Sequence, residues 1–157
     1  MYIVMVIGLM VVLPIASVII EAWLHAGADL WLLIGKWFVF WAVGVRLLLA
    51  GARQIAMPEF TAETIFETKD PGARKIVSEL GFGNVSIGLI GLASLYWSSW
   101  TVPAAVCGGL FYGLAGLKHL QNGRRSTSEN VATVSDLFIF AVLAAFLVSV
   151  ALHSGVK

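Results

Sequence analysis

Five long apolar stretches constrain this chain more than any other feature: Tyr2 to Leu24, Leu30 to Ala52, Gly81 to Trp97, Val102 to Leu120 and Val131 to His153. A helix rising about 1.5 Å per residue needs roughly 20 apolar residues to cross the hydrocarbon core of a bilayer. No water is available there to satisfy peptide groups, so each stretch must close its own hydrogen bonds as a helix. The expected fold is therefore all-α: a polytopic membrane bundle of five transmembrane helices, forming one integral membrane domain over residues 1–157. Composition agrees, with 59% hydrophobic and 12% charged residues and a mean hydropathy of +0.91. The third stretch is short and calls for partial burial or a tilted neighbour.

The first stretch, "MYIVMVIGLMVVLPIASVIIEAW", lacks a basic leader region and outruns the apolar part of a signal peptide. It reads as a retained spanning helix that Pro14 bends without ending. Ten Lys and Arg against nine Asp and Glu leave no basic footprint, so no nucleic-acid partner is expected. A single cysteine, Cys107, excludes an internal disulfide and a cysteine-rich metal site, and reads as a small core or interface residue. No compact metal motif is present, and no cofactor is identifiable.

The substantial polar segment, "RQIAMPEFTAETIFETKDPGARKIVSE", occupies residues 53–80 and is expected to be a cytoplasmic amphipathic connection lying on the membrane. Thr61 to Thr68 reads as a short helix capped by Thr61, with Phe60, Ile65 and Phe66 toward the interface. Asp70 and Pro71 read as the cap and first residue of a second helix running into Gly81. Glu59, Glu63 and Glu67 would form a wet acidic face. Beyond Trp97, Thr101 is a candidate cap with Pro103 in the first turn, and "QNGRRSTSEN" is a polar turn.

Charge sets the expected orientation. With a cytoplasmic N-terminus, the longer loops carry Arg53, Lys69, Arg74, Lys75, Arg124 and Arg125 inside, with Lys118 nearby, while Lys36 and Lys157 lie toward the other side. Trp23, Trp31, Trp97 and Trp100 form a belt at the non-cytoplasmic ends, with Trp37 and Trp41 deeper. The C-terminus is then outside.

Two cations interrupt the second stretch. In a regular helix Lys36 and Arg46 stand about 15 Å apart along the axis and roughly 80° apart around it, so they need not share one polar stripe. Lys36 reaches toward Glu21 across the first hairpin. Arg46 lies deeper and requires an internal partner, whereas Arg53 is an interface-facing basic residue. The topology brings Arg46, Asn84, His119, Glu129 and Asp136 to similar depth, and Tyr112 places a hydroxyl in the bundle. A buried Arg46–Asp136 pair, with Glu129 as the alternative partner and Asn84 completing hydrogen bonds, is one reading; a ligand, ion or proton pathway through the same residues is another, and snorkelling of Arg46 a third. An enzyme would use Asp136 or Glu129 as base, Arg46 to stabilise an anion and His119 near neutral pH, but no catalytic spacing supports it. His25 and His153 lie toward the side opposite His119, which excludes a three-histidine cluster.

Small residues line "GFGNVSIGLIGLAS" and "CGGLFYGLAG", including the Gly109 and Gly113 pair, as in helices that pack closely. Packing inside the subunit is the first reading and a homo-oligomer contact the second.

The segments "KWFVFWAVGVRLLLAGARQIAMPEFTAETIF", "ELGFGNVSIGLIGL", "PAAVCGGLFYGLAGLKH" and "ENVATVSDLFIFAVL" together resemble a family of small bacterial integral membrane proteins of unknown function, over Lys36 to Leu143. The resemblance implies the same span arrangement and draws attention to Arg46, Arg53, Glu63, Asn84, Tyr112, His119, Glu129 and Asp136; it implies no mechanism. A looser likeness is to DoxX-like membrane proteins, some of them associated with redox complexes or membrane-protein assembly. The expected role is a small transport or channel-like component of the bacterial inner membrane that uses the polar cluster. A structural or assembly subunit, and a redox accessory or membrane enzyme, are the alternatives. Membrane lipids and a further copy or another membrane subunit are the expected partners.

Overall fold

The computed structural model describes residues 2–64, 66–121 and 127–154; the expectations for Ile65, Arg124, Arg125 and Lys157 lie outside them. The architecture is an all-α bundle, with no strand among the described residues. Five helices are long and apolar enough to cross a membrane: α1 (Ile3–Leu24), α2 (Leu30–Ala56), α4 (Pro71–Ala93), α5 (Thr101–Leu120) and α6 (Thr127–Ser154). A short helix, α3 (Pro58–Thr64), joins α2 to α4. The chain is thus a multi-pass membrane protein.

Several boundaries differ from expectation for local reasons. The third span does not begin at Gly81. Asp70 accepts a hydrogen bond from the Gly72 amide at 2.8 Å, Pro71 fills the first turn, and the helix then runs 23 residues without a break. It ends at Ala93 rather than Trp97, but the ten residues gained at its start remove the shortfall in length. The connecting helix starts at Pro58, three residues before Thr61, because a proline just past the Met57 cap of α2 supplies a ready first turn. Thr61 is therefore interior and caps nothing. Glu67 lies outside that helix at φ 52°, so Glu59, Glu63 and Glu67 share no continuous acidic face. Thr101 is likewise the first residue of α5, led in by a single 3₁₀ turn at Ser98–Trp100.

The hydrophobic pattern is reversed from that of a water-soluble bundle. Large apolar residues such as Ile19, Leu110, Leu114, Val134 and Val148 are exposed at the outer surface, where lipid is the solvent. The buried stripe of α5 is Ala104, Ala105, Gly108, Gly109, Tyr112, Gly113 and Gly116, small at every position except Tyr112. Cys107 is exposed on the outer face of α5 and is not a core residue. Association without an aqueous hydrophobic drive depends on close approach, and small residues permit it.

Helix α2 touches every other spanning helix. Its tightest partner is the antiparallel α4, where backbone meets backbone. A Cβ built on Gly88 would lie 2.6 Å from the Leu48 amide nitrogen, and one on Gly91 2.6 Å from that of Gly44. One on Gly51 would lie 2.6 Å from the Gly81 carbonyl oxygen. The glycines recur at seven-residue intervals on both helices, 44 and 51 against 81 and 88, which keeps one seam in register over two turns. On the other side, α5 packs on α6, with Gly113 against the Phe140 ring and Gly116 against Leu137. The Gly109 and Gly113 face is thus used inside the subunit. The core closes around Met10, Phe38, Val43, Leu47, Leu143 and Phe146.

Both helices of the first hairpin contain π-helical turns, Gly8–Val12 in α1 and Val39–Val45 in α2. The first lies immediately before Pro14, whose ring disturbs regular packing of the preceding turn, and α1 continues through it. Gly27, at φ 95°, makes the turn between α1 and α2 that a side chain would strain. Asp29 then caps α2 by accepting from the Trp31 amide at 2.8 Å.

At this Trp-rich end, Lys36 donates to both carboxylate oxygens of Glu21 at 2.7 and 2.8 Å, and the Trp37 indole donates to the same carboxylate at 2.6 Å. Trp41 donates to Ser17 at 3.0 Å. Breaking such a pair on one side leaves a charge in a poor solvent. The pair is only partly buried, so Lys36→Met is expected to destabilise the bundle by about 1 kcal/mol, and adding Glu21→Met to recover most of the loss. Chemical denaturation in mixed micelles checks this; a single variant as stable as the wild type contradicts the pairing.

Candidate functional site

The opposite end of the bundle holds a cavity of about 310 Å³. Its wall draws on all five spanning helices and on α3, with Met5 from α1, Arg46 from α2, Phe60 from α3, Asn84 from α4, Tyr112 from α5 and Asp136 from α6. Local structure explains how α2 turns Arg46 toward it. The Arg46 amide donates to the Trp41 carbonyl, five residues back, so Arg46 sits where the π-helical segment returns to α-helix. The wider turns shift the azimuth of everything beyond them, and the regular-helix relation between Lys36 and Arg46 no longer holds. Lys36 turns to α1, and Arg46 to the cavity. The buried Tyr112 hydroxyl donates to the Ala42 carbonyl within the same π segment at 2.5 Å, tying α5 to the turn that aims Arg46.

Arg46, Asn84, Tyr112, His119 and Asp136 all line the cavity. The expected ion pair does not form: Arg46 makes no hydrogen bond or salt bridge to Asp136, although both side chains line the cavity. The two groups face a shared space rather than each other. Glu129 is not in the cavity wall and does not substitute as the partner of Arg46. It lies 3.1 Å from Nδ1 of His119 across the α5–α6 hairpin, with both side chains largely buried. Glu129 thereby anchors His119 at the cavity edge.

Arg53, expected at the interface, also lines the cavity; its guanidinium lies 3.4 Å from the centre of the Phe60 ring, under α3. That cation–π contact holds α3 across the end of the bundle. A second tie is the Arg74–Glu63 salt bridge at 3.0 Å between α4 and α3. Lys118 joins Arg53 on the wall near the helix ends.

Gln54 is the site residue that sequence reasoning missed. It is buried, lines the cavity, and accepts a hydrogen bond from Asn84 Nδ2 at 2.7 Å. Placing the end of the second stretch at Ala52 put Gln54 in a polar connection, whereas α2 runs on to Ala56 and carries it inward. The available signal was spacing: Gln54 follows Leu47 and Gly51 by seven and three residues, on the face that packs against α4. Three buried polar atoms have no partner among the described residues: Arg46 Nε and Asn84 Oδ1 at the cavity, and Arg74 Nε outside it, in the side chain that pairs with Glu63. Native interiors satisfy nearly all such atoms, so two at one cavity mark it as the candidate site. No group of three His, Cys, Asp or Glu suited to a metal ion occurs among the described residues. His25 and His153 lie at the far end from His119, on the α1–α2 turn and the last turn of α6.

No family model, curated protein or solved structure matches this chain.

Proposed function

We propose that this protein is a small membrane transport component of the carrier type, with the Arg46 cavity as its solute site. The observation that carries the reading is the pair of unpartnered buried polar atoms, Arg46 Nε and Asn84 Oδ1, at one cavity between helices. At the other end Glu21, Lys36 and Trp37 close their hydrogen bonds on one another, whereas the cavity keeps two buried polar atoms open within one space. A polar group held at membrane depth without a partner costs stability, and such residues are retained where solute, ion or proton passes. We assign the protein to the bacterial inner membrane with the cavity end cytoplasmic; the gathering of Arg53, Lys69, Arg74, Lys75 and Lys118 at that end, with the exposed Trp23, Trp31, Trp97 and Trp100 at the other, supports the orientation. That puts the N-terminus in and the C-terminus out.

Water access to the cavity tests the reading. Ala115 lines it, while its neighbour Leu114 faces outward and is 67% exposed. In a Cys107→Ser background, Ala115→Cys is expected to react with a charged, membrane-impermeant thiol reagent from the cytoplasmic side, and Leu114→Cys, bathed in lipid at the same depth, to stay unmodified. An unreactive Ala115→Cys in folded protein contradicts a solute-accessible site.

A further inference from the structure

The geometry points to the ligand class: the head group of a single-chain anionic amphiphile, a carboxylate or phosphate monoester carrying an alkyl tail. This rests on the reading of the cavity as a solute site and adds what the solute is.

Charge comes first. Arg46, Arg53 and Lys118 line the cavity, and none of them makes an ion pair with a described residue. Among the described residues Asp136 is the one carboxylate on the wall, and His119 is engaged by Glu129. The lining therefore carries an excess of positive charge, and Asp136 beside Arg46 tempers it toward a singly charged head. Arg53 and Lys118, near the ends of α2 and α5, draw an anion in; Arg46, deeper, meets it with a donor that has no partner among the described residues.

Hydrogen bonding comes second. Asn84 is 2% exposed, and one of its two amide atoms is unused. Turning the Asn84 and Gln54 amides over together preserves the bond between them and presents an N–H instead of an oxygen to the cavity. The pair thus accepts from a protonated head oxygen or donates to an ionised one, as a monoprotonated phosphate or a carboxylate requires.

The apolar lining comes third. Leu47, Leu49, Leu80 and Phe111 complete the wall. A bare hydrated ion leaves these surfaces unused, whereas a tail covers them. At about 30 Å³ per water-sized volume, the 310 Å³ cavity holds a head group and the first few methylenes. The rest of the chain extends beyond it.

The test uses the full chain in nanodiscs of neutral phosphatidylcholine, titrated with dodecanoate and dodecyl phosphate, with dodecanol, dodecyltrimethylammonium, acetate and inorganic phosphate as comparators. Both anionic amphiphiles are expected to bind once per chain. Arg46→Gln should weaken them by about tenfold or more, the range for loss of a charge-assisted contact. Asp136→Asn, which removes the opposing charge, should tighten them severalfold. The opposite sign of these variants separates anion recognition from general damage, and an unchanged melting temperature certifies the fold of each. Competition by acetate or inorganic phosphate at the same concentrations overturns the need for a tail. Equal binding of dodecanol or the ammonium amphiphile overturns anion recognition, and so does unaltered affinity in folded Arg46→Gln. Failure of binding with Ala115→Cys still labelled removes the ligand class alone; failure of both removes the cavity reading as well.

Discussion

Gly88→Ala is expected to destabilise the bundle by about 3 kcal/mol, the upper end for overpacking a tight interior. The added Cβ would sit 2.6 Å from the Leu48 amide nitrogen and 3.0 Å from the Gly44 carbonyl oxygen, so it meets backbone on the facing helix. A flexible side chain can swing away; a helix backbone moves only if the seam opens. Gly91→Ala should behave alike, because its Cβ meets the Gly44 backbone. Gly83, on the same helix, has nothing within 4 Å of its Cβ position, and Gly83→Ala should be neutral or slightly stabilising. Denaturation in mixed micelles followed by tryptophan fluorescence separates the two. Equal stability of Gly88→Ala and Gly83→Ala contradicts the packing of α2 on α4 in this register. Opening that seam would also displace Gln54 and Asn84, which face each other across it, so Gly88→Ala should impair the site as well as the fold.

Arg46→Leu is expected to leave stability unchanged or raise it by about 1–3 kcal/mol, while removing ligand binding. The guanidinium has no ion pair to lose among the described residues, and a cation deep in a span costs about 2.5–3.5 kcal/mol on the insertion scale. Lys36→Met, ten positions earlier on the same helix, should have the opposite sign because Glu21 would be stranded. Two cations on one helix thus separate into one that holds the bundle and one held for function. A large loss of stability in Arg46→Leu contradicts this division and favours a structural role for Arg46.

The five helices were legible because long apolar stretches leave a membrane-spanning chain no alternative, and the reach of Lys36 to Glu21 followed from their mirrored positions in a short hairpin. The Asp70 and Pro71 start was legible in the same way, from cap chemistry that acts within one turn. Depth, read by counting residues, brought Arg46, Asn84, His119, Glu129 and Asp136 to one level; four of these line one cavity together with Tyr112, while Glu129 stands behind His119. Azimuth was not legible. The π-helical Val39–Val45 segment rotates Arg46 relative to Lys36, and no residue pattern in the sequence reading marked it. That is why a direct Arg46–Asp136 pair was expected where the two groups instead face a common space. Gly44 and Gly51 drew no attention beside the glycine-rich third and fourth spans, since two small residues seven apart acquire meaning only when Gly81 and Gly88 stand opposite.

Solute-driven charge movement tests the central claim most directly. Proteoliposomes adsorbed on a supported membrane are exposed to a rapid step of octyl phosphate, with Arg46→Gln and protein-free vesicles alongside. Transport through the Arg46 cavity yields a transient that saturates with concentration and is lost in Arg46→Gln. Binding to the wild-type protein with no charge movement above that of protein-free vesicles would contradict it.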